Sequence, residues 1–102
     1  MTSGFTIYTT SAFRRLSRSL QKHHQEFAQV EEEAFATLRS DPYNRTRRHQ
    51  IKKLENVSPA KGQYHLHLGR WRFRYDIEGQ DVVLYYCGLR REDTYWERRS
   101  KS

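Results

Sequence analysis

Two hydrophobic periodicities succeed each other in the first forty residues. Residues 5–9 read Phe-Thr-Ile-Tyr-Thr, an alternating run with β-branched and aromatic bias that predicts a short strand. Thr10 or Ser11 then offers a side-chain oxygen as a helix N-cap. From Phe13 to Leu38 the apolar side chains recur every three or four residues, which is the period of an amphipathic helix.

The helical segment is too long to be one straight helix. A helix from Ser11 to Ser40 would measure about 45 Å, whereas a domain of this size has a radius of gyration of about 13 Å. We therefore expect two antiparallel helices with a break near residues 21–24. Asp41-Pro42 ends the second helix, because the residue before a proline is driven out of the helical region.

The second half of the chain predicts a three-stranded meander. Residues 43–62 are polar and basic, and they close on the turn cluster Ser-Pro-Ala-Lys-Gly at 58–62. Gly-Arg at 69–70 suits a type II′ hairpin turn, and residues 78–81 close the next strand onto residues 81–86. The 102 residues fit one domain, in which we expect residues 97–102 to be a frayed basic tail. The order of elements predicts an α+β fold, a small antiparallel sheet with two helices packed on one face.

The register of the first hairpin follows from its two-residue turn. The predicted pairs are Leu68 with Trp71, His67 with Arg72, Leu66 with Phe73, His65 with Arg74, and Tyr64 with Tyr75. Because side chains alternate across a strand, the aromatic and leucine side chains share one face of the sheet. The other face carries four residues: His65, His67, Arg72 and Arg74. We call it the His/Arg face.

A merely solvated sheet face, the ordinary interpretation of such alternation, does not need adjacent cations. Guanidinium groups beside imidazoles lower the imidazole pKa, which leaves at least one ring neutral near pH 7 and able to act as a general base. Metal binding by His65 and His67 is disfavoured, because no third ligand alternates with them and Arg72 and Arg74 would repel a cation.

The net charge of +7 is concentrated in one segment. Residues 45–74 contain nine basic residues and one acidic residue, whereas the rest of the chain has ten basic and eleven acidic residues. Such a segment can be a solvated surface, but a neutral remainder favours a site for a polyanion such as nucleic acid.

Other classes of protein are disfavoured by composition. The single cysteine, Cys87, forms no internal disulfide, and the chain has no CxxC motif; we expect Cys87 to be a small buried hydrophobe. The first residues lack a basic region followed by an apolar one, and no apolar run approaches the length of a membrane span. We expect a cytoplasmic protein with an aromatic-rich core, since 14% of its residues are aromatic.

Several short motifs occur in an order that resembles a known family. They are Asp41-Pro42-Tyr43 after the helices, Ile51-Lys-Lys-Leu54, the hairpin Tyr64–Tyr75, and Gly88-Leu-Arg90 followed by Tyr95. In this order they resemble the RelE/ParE superfamily of bacterial toxins, and within it the RelE-type messenger-RNA interferases of type II toxin–antitoxin systems. The resemblance implies cleavage of messenger RNA in the ribosomal A site and inhibition by a partner antitoxin.

The resemblance also implies roles for individual residues. Arg72 matches the arginine that contacts the scissile phosphate, Arg90 the one that stabilises developing charge, and Tyr95 the aromatic that stacks on a base or assists proton transfer. His65 and His67 stand where many members carry lysine or arginine. The predicted RNA-binding residues are Arg45, Arg47, Arg48, Lys52, Lys53, Lys61, Arg70 and Arg74.

These expectations describe a metal-independent endoribonuclease without a cofactor. Such chemistry needs a base for the ribose 2′-hydroxyl, cations around the phosphate and an acid for the 5′-oxygen. We favour His67 over His65 as the base, because it faces Arg72. Simple alternation in the last strand, with Val82, Leu84 and Tyr86 facing the core, also puts Arg90 on the core side unless a bulge at Gly88 turns it.

Two other functions fit the same pattern. One is a ParE-type inhibitor of DNA gyrase, which has the same fold and no nuclease activity. The other is a module that binds RNA or the ribosome without cutting.

Overall fold

The computed structural model describes residues 4–58 and 60–89. Its elements, in chain order, are β1 (Thr6–Thr9), α1 (Ser11–His23), α2 (Phe27–Ser40), β2 (Gln50–Lys53), β3 (Tyr64–Leu68), β4 (Trp71–Glu78) and β5 (Asp81–Leu89). Within the described ranges, no helix has the length and apolar character needed to cross a membrane. Two predicted site residues, Arg90 and Tyr95, and the basic tail expected to fray at 97–102 lie outside these ranges.

The predicted break between two helices is confirmed. Thr10 caps α1, because its hydroxyl accepts a hydrogen bond from the Phe13 amide at 3.1 Å and donates one to the Leu84 carbonyl, also at 3.1 Å. The helix ends at His23, and the backbone N–H of His24 closes the last turn by donating a hydrogen bond to the Leu20 carbonyl at 2.8 Å. The Thr10 contacts fix the start of α1 against β5.

The sheet has five strands in the order β1-β5-β4-β3-β2, and it differs from the predicted antiparallel meander in two respects. β1 pairs with β5 in parallel, a contact between the first and last strands that local patterns in the sequence do not specify. β2 is an additional edge strand, antiparallel to β3. In β2 only Ile51 is an inward-facing apolar residue. Four residues with one apolar side chain do not form an alternating pattern that distinguishes a strand from the preceding loop.

The core lies between the helices and one face of the sheet. Phe13, Phe27, Ala34 and Leu38 from the helices are buried together with Leu66, Trp71, Phe73, Tyr75, Val82, Leu84 and Cys87 from the strands. Cys87 is 1% exposed, as expected, and burial raises the pKa of its thiol to about 12. Aromatic rings fill much of this volume, and the Phe27 and Trp71 ring centroids are 5.0 Å apart.

A bulge in β5 changes which side chains face the core. Arg74 pairs with Tyr86 and Tyr75 pairs with Leu84, so that Tyr85 is an extra residue in β5. One extra residue reverses the alternation beyond it. The expectation that Tyr86 faces the core is therefore wrong, since Tyr86 pairs with Arg74 of the His/Arg face and Cys87 takes the core position. The bulge in β5 lies at Tyr85, whereas the sequence suggested a possible bulge at Gly88.

Candidate functional site

The predicted hairpin register is confirmed at all five pairs, and the neighbouring strands extend it into two rows across the His/Arg face. The first row runs Gln50, His67, Arg72, Gly88, and the second runs Lys52, His65, Arg74, Tyr86. Neighbouring members of a row lie about 5 Å apart across the strands. The sheet therefore assembles residues from four strands on one surface.

The centre of the His/Arg face is largely removed from solvent. His65 is 7% exposed and Arg72 is 9% exposed, and the ring centroids of His65 and His67 are 5.5 Å apart. All three residues take part in polar or ring interactions. A guanidinium in this position interacts more strongly with an anion than one in bulk water does, because the local dielectric constant is lower. The interpretation as a merely solvated sheet face does not fit His65 and Arg72.

Arg74 holds the loop that leads into β3. Its Nε and Nη2 atoms donate to the Gly62 carbonyl at 3.2 and 3.1 Å. The carboxylate of Asp76, which is 3% exposed, accepts from the Gly62 amide at 3.3 Å and the Gln63 amide at 2.7 Å. Gly62 has a φ of +82°, and a Cβ there would lie 2.9 Å from the Arg74 Cβ. Arg74 thus has a structural role, whatever else it binds.

Tyr86 is a member of the site that sequence reasoning missed. A Cβ built on Gly88 would lie 2.2 Å from the Tyr86 hydroxyl oxygen and 2.8 Å from its Cζ. The phenol therefore lies across Gly88, and its oxygen occupies the space of the absent side chain in the Arg72 row. A glycine inside a strand often marks a close approach of this kind, which is the one signal in the sequence that points to it.

A cleft reaches this surface from the β2 edge. Its volume is about 380 Å³, and its lining consists of His49, Gln50, Ile51, Lys52 and His67. Two members of the Arg72 row, Gln50 and His67, thus border this open space. The cleft combines the His67 imidazole with the Lys52 ammonium group and with polar groups of the preceding segment.

The segment before β2 is ordered by Asp41, which is 8% exposed. Its carboxylate accepts bonds from the Arg45 amide at 2.8 Å, the Thr46 amide at 3.1 Å and the Thr46 hydroxyl at 2.6 Å. Burial acts to raise the pKa of Asp41, but these hydrogen bonds and nearby His49 together lower it below its ordinary value. The result is a defined loop that carries three exposed arginines: Arg45, Arg47 and Arg48.

The predicted RNA-binding residues do not form one continuous patch. Lys52 and Arg74 belong to the second row of the His/Arg face. Lys53 pairs with Tyr64 on the opposite, core-side face, where its Nζ lies 5.7 Å from the centre of that ring. The exposed Lys61 precedes β3.

Arg70 is at the tip of the β3–β4 hairpin and has protein partners of its own. Its Nη2 atom lies 2.5 Å from the Glu26 carboxylate, and its guanidinium lies 5.3 Å from the centre of the Trp71 ring. These contacts tie the hairpin tip to the turn between the helices. The described residues contain no cluster of three or more histidine, cysteine or acidic side chains placed to hold a metal ion.

Comparison with protein-family models finds no match for this sequence, and comparison with curated proteins finds none either. Among solved structures, the chain is similar to one from the crystal structure of the toxin–antitoxin complex RelBE2 of Mycobacterium tuberculosis. The TM-score is 0.67 at 24% identity, over 86% of this chain and 100% of that chain. At this identity the likeness shows the fold, and the predicted RelE-like α+β architecture is confirmed.

Proposed function

We propose that this protein is the toxin of a type II toxin–antitoxin system and that it cleaves messenger RNA on the ribosome without a metal ion. The observation that carries the proposal is the direct pairing of His67 with Arg72 on a fold shared with a chain of a toxin–antitoxin complex. A potential base beside a largely buried guanidinium supplies two of the elements that RNA cleavage requires.

In the proposed reaction, Arg72 binds the scissile phosphate and His67 accepts the proton of the adjacent ribose 2′-hydroxyl. The 2′-oxygen attacks phosphorus and the bond to the 5′-oxygen breaks, which gives a 2′,3′-cyclic phosphate and a 5′-hydroxyl end. A planar guanidinium can hold two phosphate oxygens as negative charge develops on them. The departing 5′-oxygen must gain a proton, so the site also needs an acid.

The other predicted residues have supporting roles in this proposal. The cleft beside His67 offers an RNA strand a path to the first row, and Lys52 lies along it. His65 borders His67 and helps to define the electrostatics of the base. The three exposed arginines of the loop held by Asp41 bind ribosomal RNA phosphates, which makes docking sensitive to salt. Arg90 and Tyr95 keep the roles that the family resemblance implies.

We also propose a cytoplasmic antitoxin partner. The related solved structure is a complex of a toxin with an antitoxin, and the basic segment at residues 45–74 is suited to an acidic protein segment that folds on binding. Such a partner blocks toxicity either by masking the basic surface or by covering the sheet.

The test is induction of the protein in bacteria, followed by growth measurement and mapping of messenger-RNA 5′ ends. We expect growth arrest with new 5′ ends inside coding regions, and we expect His67→Ala and Arg72→Ala to relieve both. Arg15→Ala removes an exposed charge of α1 and is the matched control. Full toxicity of both site variants would contradict the catalytic assignment.

The same experiment separates the alternatives. Arrest with intact transcripts and damaged DNA would favour a ParE-type gyrase inhibitor. Ribosome binding by the wild-type protein without any cleavage would favour a binding module.

A further inference from the structure

We propose that Tyr86 is the catalytic acid that protonates the 5′-oxygen leaving group. This inference rests on the proposed nuclease function and assigns the one proton transfer that the His67–Arg72 pair leaves open. It is based on three features of the described residues: the bulge in β5, the space above Gly88 and the position of Arg72 between two neighbours.

The bulge brings Tyr86 to the His/Arg face. Without the extra residue Tyr85, alternation from Val82 and Leu84 would place Tyr86 in the apolar core. With it, Tyr86 pairs with Arg74. Bulges are frequent beside active sites, where they redirect a side chain.

Gly88 then determines where the phenol lies. The Tyr86 hydroxyl oxygen is 2.2 Å from the place that a Gly88 Cβ would occupy, so any larger residue at 88 would displace it. The φ of Gly88 is outside the left-handed region that favours glycine. Space for the phenol, and not backbone strain, is therefore the visible reason for a glycine at this position.

Arg72 is flanked by the two groups that the reaction needs. His67 is its direct partner on β3, and Gly88, under the Tyr86 hydroxyl, is its direct partner on β5. Each neighbouring strand position is about 5 Å away. In a displacement at phosphorus the attacking and leaving oxygens lie roughly in line on opposite sides. A phosphate on Arg72 is thus placed between a base on one side and a hydroxyl on the other.

The proton balance closes with these two residues. His67 takes the proton of the 2′-hydroxyl as the new bond to phosphorus forms. Tyr86 gives its phenolic proton to the 5′-oxygen as the old bond breaks, and both residues return to their initial states by exchange with water. No oxidant, reductant or metal takes part in this step.

The test compares wild type with Tyr86→Phe, which keeps the ring and removes only the hydroxyl. Ribosomes carry a synthetic messenger RNA with either the normal 5′-oxygen or a bridging 5′-sulfur at the scissile bond. We expect Tyr86→Phe to cleave the oxygen substrate about 100-fold or more slowly, with ribosome binding within twofold of wild type. Tyr86→Phe should cleave the sulfur substrate at the same rate as the wild-type protein, because a thiolate leaves without protonation.

Two further variants complete the experiment. Gly88→Ala should reproduce the defect by displacing the phenol, and Tyr8→Phe, which alters an exposed tyrosine of β1, should cleave normally. Unchanged cleavage of the oxygen substrate by Tyr86→Phe would overturn the assignment of Tyr86, as would an equal loss on both substrates. Failure of the wild-type protein to cut either substrate would instead overturn the proposed nuclease function, and the assignment of Tyr86 with it.

Discussion

His67 on β3 and Arg72 on β4 are direct cross-strand partners at the centre of the His/Arg face. Arg72 is only 9% exposed in this position. In the proposed reaction, this pairing brings an imidazole and a guanidinium to the same phosphate. It also explains why the identity of the cation at position 72 should matter, since a fork-shaped group and a point charge bind phosphate differently.

The first prediction concerns the geometry of Arg72. Arg72→Lys keeps the charge and removes the planar fork, so we expect RNA cleavage to slow at least about tenfold while ribosome binding changes little. Single-turnover cleavage on programmed ribosomes measures the effect, and Arg15→Lys on α1 is the control. Wild-type rates for Arg72→Lys would mean that charge alone suffices.

The second prediction concerns docking by the loop arginines. Replacing Arg45, Arg47 and Arg48 together by glutamine should weaken ribosome binding and reduce the slope of log affinity against log salt by about 2, because each phosphate contact contributes roughly 0.7 to 0.9. Filter binding at several salt concentrations measures the slope. The control replaces Arg15, Lys22 and Arg39, three exposed cations of the helices. An unchanged slope for the loop variant would place docking elsewhere.

The third prediction concerns Asp41. Its folded-state pKa is lowered, so its contribution to stability is present above the ordinary carboxyl pKa and is lost as pH falls through the folded value. Asp41→Asn should lower the free energy of unfolding by about 1 to 3 kcal/mol at pH 7. The difference from wild type should shrink at acidic pH.

Urea unfolding at pH 7 and at pH 3 measures this difference. Glu33→Gln, at an exposed position of α2, removes a carboxylate without these contacts and is the control. A loss of stability for Asp41→Asn that stays the same at both pH values would show that the carboxylate charge is not responsible.

The fourth prediction separates crowding from backbone strain at two glycines. Gly62 and Gly79 both have positive φ, at +82° and +63°, but only a Cβ at Gly62 meets another atom, the Arg74 Cβ at 2.9 Å. Gly79→Ala should cost about 1 kcal/mol from backbone strain. Gly62→Ala should cost more, because Arg74 must also shift. Equal losses in urea unfolding would mean that Arg74 moves freely.

The sequence predicted the site best where local rules apply. The two-residue turn after Leu68 and the period of two in the flanking strands were enough to derive the pairing of His67 with Arg72. The helix break was also predictable, because a helix of that length would exceed the size of the domain. The hairpin register depends on neighbours in the chain, and the helix break depends on chain length.

β2 was missed for a physical reason. Its four residues have one apolar side chain, Ile51, and they form a strand because β3 offers an unpaired edge. Lys52 therefore joins the row of His65 only in the folded protein. No local pattern in residues 50–53 predicts this pairing with β3.

The sequence by itself determined the hairpin, its register and the separation of an apolar face from the His/Arg face, because alternation and turn length act between residues close in the chain. Only the tertiary structure decided the parallel pairing of β1, the edge strand β2 and the burial of Arg72. It also decided the position of Tyr86, because a bulge arises from how two whole strands align. One extra residue in β5 moved that tyrosine from the expected core to the row of Arg74, with its hydroxyl over Gly88 in the row of Arg72.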